Sequence, residues 1–219
     1  MNSWYCQARA LLQAINCSYK FRRTDFLVPN MPSLLPLHLQ GPLLAILAAS
    51  LYYLTYRANE LFDSWFLYAQ GIALVFLPAG IKHLSILIAG RWGALGCFVA
   101  LFILANEFWL GVPPAEIALY SLISTGSTWA GIVLCLRTLG INRDLHNIRF
   151  IHLPLIDLFT TFLHGFTTNL FFITIGMKKD NFMSNALAMM FGDYIGSFIL
   201  LTLLWLAISY SKRVVTNRN

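Results

Sequence analysis

SWFLYAQGIALVFLPAGIKHLSILIA, residues 64–89, is an almost unbroken apolar run of 26 residues. It carries two basic side chains, Lys82 and His83, and no acidic one. As one straight helix it would extend about 39 Å, more than the roughly 30 Å of a bilayer's hydrocarbon core. A water-soluble domain has no use for so long an apolar run. Proline at position 78 removes a backbone donor and crowds the preceding turn. Two readings follow: a single helix kinked at Pro78, or two half-helices with part of the segment re-entrant. The kink is the expectation.

On either side of it, five further apolar segments have the length or near-length of a span: about Pro42–Tyr56, Trp92–Leu110, Ala115–Leu136, Ile151–Met177 and Phe182–Tyr210. The first is short unless it begins near Leu34. Backbone groups in lipid must be satisfied internally, and runs this continuous do not alternate as barrel strands do. The expected fold is therefore all-α, a polytopic transmembrane helical bundle of about six spans. An N-terminal cytoplasmic or interfacial segment (1–40) precedes the transmembrane domain (41–211), and a basic cytoplasmic tail (212–219) follows it. Within the first segment, Trp4–Ile15 reads either as a short amphipathic helix on the membrane surface or as disordered chain.

Composition agrees. Hydrophobic residues make up 58% of the 219 and charged residues 11%, against about 25% charged in an average soluble domain. The net charge is +6, but the basic residues flank apolar segments, so the charge sets topology and no nucleic-acid partner is expected. With the N-terminus inside, the cytoplasmic segments hold Arg9, Lys20, Arg22, Arg23, Arg91, Arg137, Arg143, Arg149, Lys212, Arg213 and Arg218, and the outer loops only Arg57, Lys178 and Lys179. This bias is the positive-inside rule. It implies both ends in the cytoplasm and a multi-pass membrane protein, with the lipid bilayer as its first partner.

The four cysteines, Cys6, Cys17, Cys97 and Cys135, show no metal-binding spacing. Cys97 and Cys135, which fall inside apolar stretches, are read as small apolar groups. His152 and His164 are too far apart to share an ion, and no cofactor or metal is expected. No Gly-x-Ser-x-Gly turn or other nucleophile–base spacing points to an enzyme.

Ionisable residues at membrane depth cost roughly 2.5 kcal/mol or more and so face the bundle with a partner. Lys82, His83, Asp157, His164 and Asp193 are of this kind, with Asn169 as a further polar group. Asp157 and His164 are seven residues apart and share a helix face, close to Thr161 and Thr168. A polar pocket, a proton relay or a ligand site fits this face, and so does plain interhelical hydrogen bonding. Lys82 reads either as a cation paired with Asp157 or Asp193 or as a lysine snorkelling to the cytoplasmic interface. His83 points about 100° away from it, so the two cannot share a partner. Gly192 and Gly196 flank Asp193 with a spacing that lets helices approach closely.

Two motifs carry a resemblance. Leu77-Pro78-Ala79-Gly80-Ile81, followed by an apolar run and Gly90-Arg91-Trp92, and later Phe191-Gly192-Asp193-Tyr194-Ile195-Gly196, resemble the bacterial membrane-associated sensor domain of the first type. That domain is the integral membrane part of many histidine kinases and diguanylate cyclases. The resemblance covers about residues 64–210, and only the two motifs are specific. The chain departs from it in lacking the proline that often follows the second motif, in having fewer helices and in showing no output domain. The resemblance implies a sensory or regulatory membrane module that acts through a partner protein, reached by the basic cytoplasmic loop 137–149 and the tail. Two other classes fit the residues: a small-solute transporter or the substrate-binding subunit of an importer, and an assembly or structural subunit of a membrane complex.

Overall fold

The chain forms an α-helical bundle in which helices supply every long element of the described residues. The computed structural model describes residues 37–69, 72–142, 145, 147–148, 151–176 and 181–216, with the side chains of these except 37, 38, 63, 64, 69 and 204–216. Helix α1 is Leu37–Glu60, and a single helical turn, α2, covers Asp63–Phe66. Strands β1 (Leu67–Ala69) and β2 (Ile72–Ala73) pair antiparallel, Leu67 opposite Ala73. Then follow α3 (Leu77–Ala89), α4 (Arg91–Phe108), α5 (Pro114–Thr138), α6 (His152–Thr174) and α7 (Phe182–Thr216). Residues 41–219 belong to one compact unit.

Among the described residues four helices are long and apolar enough to cross a membrane: α1 (Leu39–Glu60), α4, α5 and α7 (Phe182–Leu203). They turn large apolar side chains outward, among them Ile46, Leu54, Leu122 and Leu203. That is the surface of a protein solvated by lipid. Helix α6 has 23 residues but gives one face to Asp157, Thr160, Thr161, His164, Thr168 and Asn169, all buried. Helix α3 has 13 residues, about 20 Å of helix, and cannot cross alone.

The expected kink at Pro78 is corrected here. The run 64–89 is not one bent helix. Its first part is α2, the hairpin and a short connection, and Pro78 stands in the first turn of α3. There the missing N–H is one of the donors a helix start leaves unpaired anyway, and the fixed φ already suits the helix. What breaks the run is its fit to the rest of the bundle. Phe76 N–H donates to Gly192 O at 3.0 Å and Leu74 N–H to Phe66 O at 2.8 Å. Leu77 N–H donates to Asn59 Oδ1 at 2.9 Å. Irregular backbone within a membrane protein is tolerated where protein satisfies it, and these bonds do so.

Helix α3 packs against α4, α5 and α7 and so occupies the middle of the bundle. Gly90, at φ +56°, makes the turn from α3 into α4, a conformation that glycine adopts without steric cost. Gly80 lets α3 lie directly on Ser197 and Leu200 of α7. Three apolar clusters fill the interior. Tyr52 meets Cys97, Ala100, Leu101 and Leu104 between α1 and α4. Ile72 meets Phe171, Phe172, Ala188 and Met189 under the hairpin. Ile86, Ile132, Cys135, Ile141 and Ile156 close the opposite end. Cys97 and Cys135 are free thiols within these clusters.

Trp4–Ile15, Cys6, Cys17, Arg143, Arg149, Lys178, Lys179 and Arg218 lie outside the described residues. One prediction arises from the α3 start. Asn59→Ala removes the side-chain acceptor for Leu77 N–H, and loss of such a cap costs about 1 kcal/mol. Thermal unfolding should rank wild type above Asn59→Ala.

Candidate functional site: a cavity with aromatic walls and a polar floor

A cavity of about 260 Å³ lies among α1, the hairpin and α3–α7. Its more exposed lining residues, Glu60, Leu67 and Phe108, sit at the end of the bundle where α1 and α4 finish. Aromatic rings form the walls: Tyr52, Tyr56, Phe76, Phe108, Trp109 and Tyr120. Trp109 and Tyr120 lie 4.5 Å apart by ring centroids, and Tyr120 stacks on Phe172 at 5.6 Å.

The floor is polar. Lys82, Ser124, His164 and Asp193 line it, from α3, α5, α6 and α7 respectively, and all four are buried. Lys82 Nζ lies 3.3 Å from His164 Nε2 and 3.5 Å from Ser124 Oγ. An ammonium has only donors, so Nε2 accepts, and the ring proton is assigned to Nδ1, which donates to Thr168 Oγ1 at 3.2 Å. Asp193 Oδ2 lies 3.4 Å from the same Nε2, yet it makes no hydrogen bond to any described residue. Lys82 is 1% exposed, which excludes the snorkelling reading. Its cation faces the bundle, beside His164 and on the side of Asp193.

His83 turns to the other side of α3. Its Nδ1 makes a short contact with Asp157 Oδ1 and lies 3.4 Å from Ser197 Oγ. His83 Nε2 is buried without a hydrogen-bond partner among the described residues. This group lines a separate space of about 30 Å³ with Leu84, Leu87, Leu153 and Leu201, enough for a water molecule. Serine and aspartate meet the same ring nitrogen, so this is no nucleophile–base–orienter relay. Asn169 joins neither group: its Nδ2 donates to Gly165 O at 2.8 Å and contacts Met189 Sδ at 3.5 Å.

The polar residues thus form two groups, split by the 100° between successive residues of α3. Asp157 and His164 share a helix face but serve different partners. Gly192 and Gly196 also act differently from a helix–helix seam. A Cβ on Gly192 would collide with the Ala73 carbonyl, and one on Gly196 with the Phe76 carbonyl. The two glycines seat the irregular backbone that enters α3, and Asp193 stands between them, at the cavity.

Sequence reasoning missed Ser124 and the aromatic walls. A signal for the former existed: Ser121, Ser124, Thr125 and Thr128 repeat at helical spacing, and all are buried on α5. Ser121, Thr125 and Thr128 satisfy their hydroxyls on carbonyls four residues back, at 2.8, 2.6 and 2.9 Å.

At the open end Arg57 ties α1 to α4. Its guanidinium donates to Glu60 Oε2 at 3.0 Å, to Glu107 Oε2, and to Tyr53 Oη at 3.2 and 3.0 Å. It also lies 5.3 Å from the Phe108 ring centroid. These side chains are 25–39% exposed, where an ion pair contributes only about 0–1 kcal/mol. The clasp at the mouth is therefore cheap to open.

Among the described residues no three His, Cys, Asp or Glu side chains come together as metal ligands. No protein-family model, curated protein or solved structure matches this chain.

Proposed function

We propose that the chain is a sensory or regulatory module of a bacterial inner membrane. In this reading it binds a small solute in the cavity and passes the occupancy to a partner protein. The observation that carries the proposal is the meeting of Lys82, His164 and Asp193 at the floor of a cavity with aromatic walls. A few convergent polar groups in a mostly apolar pocket are the usual form of a small-molecule site. Functional sites also account for most ionisable residues kept inside membranes. The charge bias of the loops supports cytoplasmic ends and six crossings, with α3 and the hairpin together making one of them. The cavity mouth then faces outward, and the loop 137–149 and the tail offer their basic residues to a cytoplasmic partner.

A second reading, transport, is supported by the broken backbone before α3, since discontinuous helices flank the substrate sites of many carriers. Solute screening of the protein in lipid nanodiscs, alongside uptake into proteoliposomes, separates the two. A sensory module gives saturable thermal stabilisation by a solute and no uptake of it. The stabilisation should vanish in Lys82→Met/Asp193→Leu, which removes the charge pair without leaving one partner behind. Solute accumulation in the liposomes would overturn the sensory reading in favour of transport.

A further inference from the structure

The floor of the cavity also specifies a kind of head group, an inference that rests on the cavity being a binding site. We propose that it takes a small neutral molecule with a flat apolar body and a head group that both donates and accepts hydrogen bonds, a carboxamide being the simplest case.

The donor count comes first. Lys82 Nζ carries three N–H groups, and its described partners are Ser124 Oγ at 3.5 Å and His164 Nε2 at 3.3 Å. One N–H is left for an acceptor. Asp193 Oδ2 has the opposite need. It is buried with no donor among the described residues, and buried polar atoms in that condition are rare. The imidazole beside it, at 3.4 Å, already uses Nε2 to accept from Lys82 and so has no proton to give there. Lys82 Nζ and Asp193 Oδ2 flank one ring nitrogen, so a single head group reaches both. It must offer oxygen to the lysine and N–H or O–H to the aspartate.

Charge narrows the choice further. Lys82 and Asp193 balance each other at the floor. A carboxylate would gain the lysine but meet the aspartate, and an ammonium would do the reverse. Either would bring an uncompensated charge to membrane depth, which is costly. A neutral head with both functions meets neither penalty. The body follows from the walls, where Tyr52, Phe108, Trp109 and Tyr120 present ring faces and edges that suit a planar apolar group. At about 260 Å³ the space is just below the roughly 300–1,000 Å³ of drug-sized pockets, so the body is one ring or its equivalent.

Four probes of nearly one shape test this: benzamide, benzoate, benzylamine and toluene. Each is titrated into the full chain in nanodiscs, with empty nanodiscs as the blank, by calorimetry and by quenching of tryptophan fluorescence. Benzamide should bind at least tenfold more tightly than the other three. Asp193→Asn, which keeps the shape but removes the negative charge, should raise benzoate affinity at least tenfold, because Lys82 is then uncompensated. A residue acting only in packing would leave the order of the probes unchanged. Benzoate or benzylamine binding the wild type as tightly as benzamide would overturn the head-group assignment and leave the cavity a binding site. Toluene matching benzamide would do the same. Binding of none of the four would overturn both.

Discussion

Gly192→Ala and Gly196→Ala should each cost the protein several kilocalories per mole and strip most folded material from a mild-detergent preparation. The atoms in the way are the carbonyls of Ala73 and Phe76, which cannot swing aside as a side chain would. Moving α7 outward would stretch the bond from Phe76 N–H to Gly192 O, 3.0 Å long. Overpacking costs about 1–3 kcal/mol, and a buried backbone donor left unpaired costs about 1–3 kcal/mol more. Total stabilities run to only about 5–15 kcal/mol. Gly126 is the contrast, since a Cβ there meets nothing within 4 Å and it lies in the interior of α5. Gly126→Ala should stabilise by about 0.5–1 kcal/mol through helix propensity. Size-exclusion profiles and melting temperatures of the three variants decide the matter. Wild-type behaviour of Gly192→Ala would mean that the connection into α3 does not rest on this helix.

Lys82→Met should be the most damaging single change at the cavity floor. Methionine is close in length and fills the same space, so the loss is electrostatic. Removing one member of a buried charged pair costs about 3–5 kcal/mol, because the other is left uncompensated. In a chain of this size that corresponds to a fall in melting temperature of roughly 10 °C. Lys82→Met/Asp193→Leu should recover most of it, since replacing a whole buried pair by apolar groups is often near neutral. The non-additivity of the cycle is the coupling itself. A double variant no more stable than the single one would show that lysine and aspartate are not coupled, and that the floor is held by Ser124 and His164 alone.

The lipid-facing helices were legible because their signal is local. Apolar length alone marks α1, α4, α5 and α7, and the structure begins α7 at Phe182, the position where the apolar run starts in sequence. The break before α3 was not legible, because residues 64–89 read as one mostly apolar run with a proline, a pattern that a kinked helix and a hairpin followed by a short helix share. The deciding groups, Asn59 and Gly192, belong to other helices. The same holds for the polar residues. Their presence at depth is written in the chain, and the divergence of Lys82 and His83 follows from helical geometry. The pairing of Asp157 with His83, and of His164 with Lys82, depends on how α3 is set against α6, which no spacing along one helix encodes. Aromatic residues as cavity walls were hidden by their abundance: with 15% of the chain aromatic, only packing picks out the ones that matter.

The bond between Phe76 and Gly192 has a consequence for biogenesis. Residues are delivered to the membrane in chain order, and the seat for the connection into α3 is synthesised more than half the chain length after the connection itself. Until then α3 is too short to cross and Phe76 N–H lacks its acceptor. A nascent chain arrested before Phe182 should therefore hold the hairpin and α3 at the headgroup region or within the insertion machinery. Arrival of α7 would draw them inward. Folding of the cavity thus waits on α7, and a chain truncated before Phe182 should expose position 82 to water-soluble amine reagents that the chain with α7 excludes.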